Sequence, residues 1–190
     1  MKFGEYIINE STALLVVDIQ PAHEQFINFD IYEFTEYLNS YKGIINYIFN
    51  GPDMGYEDEN ELRDWLIDYG LDFNIADNIN FIPKSYGWIR EPMDGGADTN
   101  EIIKVLKYMM KNKIYDSRNI NEEDYINLNI SEEMIEFIEI GFGLPDIYKQ
   151  MIKLPKSILV GGGKTECLLE MEITMDAIGI KYKRNKSFIY

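Results

Sequence analysis

A strand, a glycine turn, a helix and a second strand follow one another near the end of this chain. Residues 157–160 (SILV) form a strand-like apolar run, and three glycines at 161–163 follow it. Residues 165–177 carry apolar side chains at helical spacing, Gly179 ends that pattern, and 180–182 resume a strand-like one. This order is a βαβ unit, which is right-handed and builds parallel sheets. The sequence therefore predicts an α/β protein.

A second strand-like run supports this fold class. Residues 12–18 (TALLVVD) are apolar at nearly every position and end in a carboxylate. Such a run is typical of a strand buried on both faces between helices. We therefore expect a three-layer α/β/α arrangement around a central, mostly parallel sheet. The other predicted elements are strands at 44–49 and 79–84, helices at 31–42, 60–69, 98 or 99–110, 132–140 and 146–152, and loops at 53–59 and 85–98.

Charge and composition exclude several partners and sites. The net charge of −15 repels phosphate, so neither nucleic acid nor an anionic membrane is an expected partner. A short basic stretch at 181–186 is the local exception. One cysteine allows no intrachain disulfide, and one histidine allows no zinc site with two or three histidines from one chain. We expect no metal and no cofactor. Residues 1–5 (MKFGE) do not begin a secretory signal, which predicts a cytoplasmic protein.

Three reactive side chains follow predicted strands. Asp18 ends the first strand, Lys84 ends the third, and Cys167 lies near the start of the helix after the glycine turn. Ligands of parallel sheets bind at the carboxyl ends of the strands. A helix N-terminus stabilises a thiolate nucleophile, Asp18 suits a proton acceptor, and Lys84 suits a charge stabiliser. The alternatives are a small buried cysteine, a turn aspartate and a surface lysine.

Other motifs carry weaker signals. His23 is either a general base or an exposed residue, and Arg90 either clamps a substrate carboxylate or forms a surface ion pair. The acidic stretch 53–59 lacks the ligand spacing of a calcium loop, so we expect a solvated loop. The stretch 162–165 (GGKT) suggests a phosphate loop, but Ile158 stands where that motif needs glycine, which makes the loop too short.

Taken together, these segments resemble the isochorismatase-like hydrolases, a cysteine hydrolase superfamily that includes nicotinamidases and N-carbamoylsarcosine amidases. The segments that carry the resemblance are 13–20 (ALLVVDIQ) with Phe26, Asn50–Gly51, 82–84 (IPK), 158–161 (ILVG), Cys167, Asp176–Ala177 and Gly179. The chain departs from the family at Lys164, where the family often has threonine, and its single histidine cannot complete the nicotinamidase metal site.

The resemblance implies one isochorismatase-like domain over 1–190, with residues 113–143 as an insertion or lid. It implies a hydrolase that cleaves a small amide, ureido or related C–N bond without a cofactor, with Asp18, Lys84 and Cys167 as catalytic residues. It also implies a small-molecule substrate and a homo-oligomer. The residues expected to bind substrate or the oxyanion are Gln20, Phe26, Trp88, Arg90, Gly162, Gly163, Lys164, Thr165 and Glu166.

Three alternatives remain at this point. A vinyl-ether hydrolase of the isochorismatase type would use Asp18 as an acid without the cysteine. A catalytically inactive family member would bind a small ligand or act as an assembly partner, which the unusual turn at 161–165 and the strong acidity suggest. A phosphate-binding protein is the third.

Overall fold

The computed structural model describes residues 12–84, 89–143 and 156–190. Contacts within the chain divide these residues into two compact units. The sheet unit comprises 12–83, 156–168 and 181–190, and the helical unit comprises 84, 89–143 and 169–180. The sequence-based expectation of a single domain with an insertion at 113–143 stays a prediction.

The fold is α/β, with a five-stranded, all-parallel sheet and helices around it. The strands are β1 (Ala13–Val17), β2 (Ile45–Asn50), β3 (Asn80–Lys84), β4 (Ser157–Gly161) and β5 (Tyr182–Arg184), in the order β3-β2-β1-β4-β5. Every residue of β1, β2 and β4 is buried, as the continuous apolar runs predict. β3 lies at an edge of the sheet, where a strand tolerates a proline such as Pro83.

The sheet unit also contains the helices α1 (Ile31–Ser40), α2 (Glu59–Asp68) and α3 (Phe73–Ala76). Alternate residues of β1, Leu14 and Val16, pack in one core cluster with Phe34 of α1 and Leu62 of α2. Phe188, which follows β5, lies in the same cluster, so the far end of the chain completes the core beside β1.

Acidic side chains cap the amino ends of these helices. The expectation of a solvated loop at 53–59 therefore needs correction, because this stretch leads directly into α2. Asp58 caps α2 by accepting hydrogen bonds from the backbone N–H groups of Asn60 and Glu61, and Glu61 binds the Asp58 N–H in return. Its neighbour Glu57 accepts a hydrogen bond from Gln20. Residues 57–59 are therefore held by hydrogen bonds rather than fully solvated, because the N–H groups of a helix N-terminus bind nearby carboxylates.

The helical unit contains α4 (Arg90–Asp94), α5 (Thr99–Asn112), α6 (Glu122–Leu128) and α7 (Glu132–Ile140). α8 (Cys167–Ile178) begins in the sheet unit and continues in the helical unit. The prediction that 85–98 is all loop is wrong for α4, whose Pro92 lies in the first turn, where a helix tolerates proline. The predicted helix at 146–152 lies outside the described residues. Among the described helices, none has the length and apolar character needed to cross a membrane.

Candidate active site

Parallel pairing places the ends of β1 and β4 side by side. Val17 pairs with Gly161 at the carboxyl end of both strands. Asp18 and Gly162 are the next residues along each strand, so the turn that follows β1 lies beside the turn that leads to α8. The sequence predicts this neighbourhood for Asp18 and Cys167, since both follow strands of one parallel sheet.

Asp18 adopts a backbone conformation that few side chains tolerate. Its φ of +50° is left-handed, and the residue is fully buried. Aspartate is among the few non-glycine types that adopt this region, and each such residue costs on the order of 1 kcal/mol. Its backbone N–H donates to Ile48 of β2 at 2.9 Å, which ties the start of the turn to the sheet. The chain therefore holds this carboxylate at a strained, fixed turn.

Glycine is needed where β4 ends. Gly161 has a φ of +83°, and a methyl group there would overlap the Val17 carbonyl oxygen. Gly162, with a φ of +64°, would place a methyl carbon 2.9 Å from the Leu168 backbone nitrogen and 3.4 Å from the Cys167 Cβ. Because both positions lack a side chain, the start of α8 packs directly against the end of β4.

Cys167 is the first residue of α8 and is half-buried. The sequence places this helix start at Thr165, and the structure places it two residues later because 164–166 form a turn. In that turn the N–H groups of Glu166 and Leu168 donate to the Gly163 carbonyl at 3.0 and 3.2 Å. An oxyanion at this turn therefore depends on its other N–H groups.

Tyr190 binds both turns. Its hydroxyl donates to the Asp18 carbonyl oxygen at 2.7 Å, across 172 positions of sequence. Its main-chain oxygen accepts a hydrogen bond from the Lys164 N–H at 3.0 Å. Burial raises the pKa of Tyr190 far above its usual range, and the negative charges of Asp18, Cys167 and Glu166 raise it further. These three ionisable groups therefore lie within electrostatic reach of one phenol.

Tyr47 supports the same turn from β2. Its hydroxyl donates to the carbonyl oxygen of Ile19, the residue after Asp18. The side chain is fully buried, and this burial raises the pKa of Tyr47, with smaller contributions from Tyr190 and Asp18. Two phenols thus bind two consecutive carbonyl groups of the strained turn.

The buried Gln20 amide joins β1 to β2. Its Oε1 accepts from the Asn50 N–H at 2.9 Å, and its Nε2 donates to the Asn50 carbonyl at 3.2 Å and to Glu57 at 2.8 Å. The Asn50 side chain lies 3.0 Å from His23 Nε2, and the His23 ring packs on Tyr56. His23 is therefore neither fully exposed nor isolated; a role for it as a base stays a prediction.

Lys84 belongs to the helical unit and forms a buried ion pair with Glu170 of the same unit. Its Nζ lies 3.6 Å from Glu170 Oε2, and both side chains are about 95% buried, with exposures of 6% and 5%. Buried charges persist where they are paired. The expectation that Lys84 joins Asp18 and Cys167 in catalysis stays a prediction.

The other predicted binding residues lie in varied surroundings. Phe26 is 60% exposed on a short 3-10 helix over Pro21–Phe26. Arg90 forms an exposed ion pair with Asp94 at 2.8 Å, which is the surface alternative that the sequence left open. Trp88 lies outside the described residues. Exposed residues of the turn before α8 are Lys164, Thr165 and Glu166.

Sequence reasoning missed Tyr190, Tyr47 and Glu170. Glu170 could have been noticed from the sequence, because it is a charged residue among the apolar residues of a helix that is otherwise expected to be buried. Tyr47 and Tyr190 have none, since their partners are backbone carbonyl groups of distant residues. Within 12–84, 89–143 and 156–190, no group of three or more His, Cys, Asp or Glu side chains could hold a metal ion.

Comparison of the chain with models of known protein families, with curated proteins and with solved structures found no match. Function is therefore argued from the residues of this chain.

Proposed function

We propose that this protein is an isochorismatase-like cysteine hydrolase that cleaves a small amide, ureido or related C–N bond. The observation that supports it best is the pairing of Val17 with Gly161, which puts the Asp18 turn beside the turn to Cys167. The strain at Asp18 adds support, since left-handed non-glycine residues concentrate at functional sites. The proposal includes the three-layer arrangement of that family.

In the proposed reaction the Cys167 sulfur attacks the carbonyl carbon of the substrate. Asp18 accepts the thiol proton and returns it to the nitrogen of the leaving amine as the C–N bond breaks. Water then attacks the thioester, Asp18 takes a proton from that water, and the thiol of Cys167 regains it as the acid leaves. Each proton is returned, so the cycle needs no further reactant.

The helix start contributes to both steps. The positive end of the α8 dipole stabilises the Cys167 thiolate, which is the reactive form of the side chain. N–H groups of the preceding turn stabilise the developing oxyanion, an effect worth on the order of 3 kcal/mol per donor in acyl transfer. The proposal includes Lys84 as a charge stabiliser, on its position at the end of β3 and on the family resemblance. The homo-oligomer and the cytoplasmic location are also part of the proposal.

Cys167 gives a direct test, because it is the only cysteine of the chain. Its rate of labelling by iodoacetamide is measured against pH. The proposal expects a midpoint well below the ~8.5 of an ordinary thiol. A midpoint at or above that value, or a thiol that iodoacetamide cannot reach, would contradict the proposal.

Turnover is tested on a panel of small amides and ureido compounds. Cys167→Ala and Asp18→Asn are each expected to lower kcat/KM by at least ~10³-fold, since they remove the nucleophile and the proton carrier. Asp30→Asn is the matched control, because Asp30 is an exposed helix cap and asparagine caps equally well. Turnover of these C–N substrates that survives Cys167→Ala would contradict the cysteine nucleophile. Turnover of a vinyl ether by the wild type and by Cys167→Ala alike would favour the vinyl-ether reaction, which uses Asp18 alone.

One observation favours an inactive, ligand-binding protein as the second candidate. The N–H groups of Lys164, Glu166 and Leu168 already donate within the protein, which reduces the donors available to an oxyanion. Native mass spectrometry separates the candidates: a small molecule retained by the folded protein, together with no turnover across the panel, supports the second.

A further inference from the structure

Tyr190 holds two loops that the sequence separates widely. Its hydroxyl donates to the Asp18 carbonyl at 2.7 Å, and its main-chain oxygen accepts from the Lys164 N–H at 3.0 Å. Asp18 follows β1, whereas Lys164 lies three residues before Cys167. One residue therefore fixes the turn of the proposed proton carrier and the turn of the proposed nucleophile.

The bond to Asp18 acts on the peptide group that sets the direction of its side chain. A left-handed φ leaves the turn able to relax to an ordinary conformation unless the surroundings prevent it. Relaxation would rotate the Asp18 peptide and move its carboxylate. Tyr190 prevents this by holding the carbonyl oxygen, and Tyr47 holds the next carbonyl, that of Ile19.

We infer that Tyr190 is a positioning residue of the proposed hydrolase, which holds the Asp18 carboxylate in register with the Cys167 thiol. The inference rests on the proposed function. Tyr190 exchanges no proton with substrate in this role; it acts through the backbone of Asp18 and of Lys164. The charges that Tyr190 senses are consistent with this position, since Asp18, Cys167 and Glu166 all raise its pKa.

The chain offers a matched control at the opposite end of the same strand. The Tyr41 hydroxyl donates to the Thr12 carbonyl at 2.9 Å, next to the first residue of β1. Tyr41→Phe and Tyr190→Phe thus remove the same kind of bond from the two ends of β1. A purely structural role predicts equal effects on Cys167 chemistry, and a positioning role predicts an effect from Tyr190 alone.

The experiment measures the pH midpoint of Cys167 labelling by iodoacetamide in a double-mutant cycle. Asp18→Asn removes a charge near the thiol, so in the wild-type background it is expected to lower the midpoint by roughly 1 pH unit. In the Tyr190→Phe background this shift is expected to fall to less than half, because the carboxylate is no longer held in place. In the Tyr41→Phe background it is expected to keep its full size.

The outcomes separate the inference from the proposed function. One outcome is a wild-type midpoint below that of an ordinary thiol, with an Asp18→Asn shift that is equal in the wild type, Tyr190→Phe and Tyr41→Phe. This outcome would overturn the inference and remain consistent with the proposed hydrolase. An ordinary wild-type midpoint, or no shift on Asp18→Asn in the wild type, would overturn both. A shift that shrinks only with Tyr190→Phe supports both.

Folding and turnover complete the test. Circular dichroism checks that both phenylalanine variants are folded. If Tyr190→Phe is not folded, Lys164→Pro takes its place, because it removes the hydrogen bond from the Lys164 N–H to Tyr190 and keeps the phenol. The Asp18→Asn shift is expected to shrink in that background as well. On a substrate of the panel, Tyr190→Phe is expected to lower kcat about 10-fold or more, with KM changed less than about twofold. A loss confined to KM would overturn the positioning role.

Discussion

The two ends of β1 are held by the same chemistry and differ in what they hold. At the amino end the Tyr41 hydroxyl binds the Thr12 carbonyl. At the carboxyl end Tyr190 and Tyr47 bind the carbonyls of Asp18 and Ile19. Only the carboxyl end pairs this bonding with a left-handed non-glycine residue, since the described Thr12 has no such conformation.

The hydrogen bond at one end of β1 thus holds a residue without a positive φ, and the bonds at the other end hold a strained residue. A phenol bound to a carbonyl contributes about 1 kcal/mol at either end. At the amino end the bond is made to Thr12, which has no positive φ. At the carboxyl end two such bonds hold the Asp18 turn in a conformation that costs free energy, and the charges of Asp18, Cys167 and Glu166 raise the pKa of Tyr190 there. At the carboxyl end the positive φ of Asp18 costs stability, and the hydrogen bonds of Tyr190 and Tyr47 keep the Asp18 turn in that conformation.

The largest expected effect is that of Gly161→Ala at the carboxyl end. The added methyl group would overlap the Val17 carbonyl, and a φ of +83° adds strain. We expect a loss of about 4 kcal/mol in the free energy of unfolding, measured by urea denaturation. Gly55→Ala is the matched control: its φ is +82° with no atom within 4 Å of the added methyl, so about 1 kcal/mol is expected.

Gly43→Ala breaks the amino end in a comparable way. Its methyl group would lie 2.5 Å from the Thr12 carbonyl oxygen. We expect a loss of about 2 kcal/mol in stability with the pH midpoint of Cys167 labelling unchanged. A changed midpoint in this variant would show that the two ends of β1 are not functionally distinct.

A buried ion pair extends the comparison to the carboxyl end of β3. Lys84→Met removes the cation 3.6 Å from the buried Glu170 carboxylate. We expect the free energy of unfolding to fall by about 3 kcal/mol, because a buried charge loses a partner. The double variant with Glu170→Gln is expected to recover more than about 1 kcal/mol; two losses that simply add would contradict the pairing.

The Gln20 amide tests how much the carboxyl ends of β1 and β2 depend on each other. Gln20→Met deprives the buried N–H and carbonyl of Asn50 of this partner, so a loss of about 2 kcal/mol is expected in urea denaturation. Asn39 is the control, because its amide also binds two backbone groups, those of Gly70 and Asp72, at a solvent-exposed place. Asn39→Ala is expected to cost less than about 1 kcal/mol, and equal losses would contradict the role of burial.

The smallest effect is a change in the alkaline slope of stability. Burial raises the pKa of Tyr47 in the folded protein. The protonated side chain therefore contributes fully to the free energy of unfolding below pH ~10, the pKa in the unfolded chain, and this contribution is lost progressively as the pH rises above that value. Tyr47→Phe is therefore expected to lose stability less steeply between pH ~10 and ~11.5. Equal slopes for the wild type and Tyr47→Phe over this range would contradict the expectation.

The fold was predictable where local signals agree. β1 and β4 follow from continuous apolar runs, and α7 matches its predicted bounds because Ser131 caps its start and Gly141, with a φ of +104°, ends it. α4 was missed because a proline and nearby glycines favour a loop, although the first turn of a helix accepts proline.

The candidate site was predictable only in its placement. Asp18 and Cys167 follow strands of one parallel sheet, so the rule that ligands bind at carboxyl ends finds them. The groups that hold them were not predictable, because Tyr190 binds a backbone carbonyl 172 positions away, and no sequence pattern encodes such a contact. The positive φ of Asp18 is likewise set by surrounding contacts.

The order of β4 and β1 in the chain has a consequence for synthesis on the ribosome. Ala13 of β1 pairs with Ser157 of β4, so the central strand emerges long before its second neighbour is translated. Until then β1 is a hydrophobic edge in a nascent chain, open to pairing with another such edge. We therefore expect this topology to fold slowly and to expose that edge until β4 has been made.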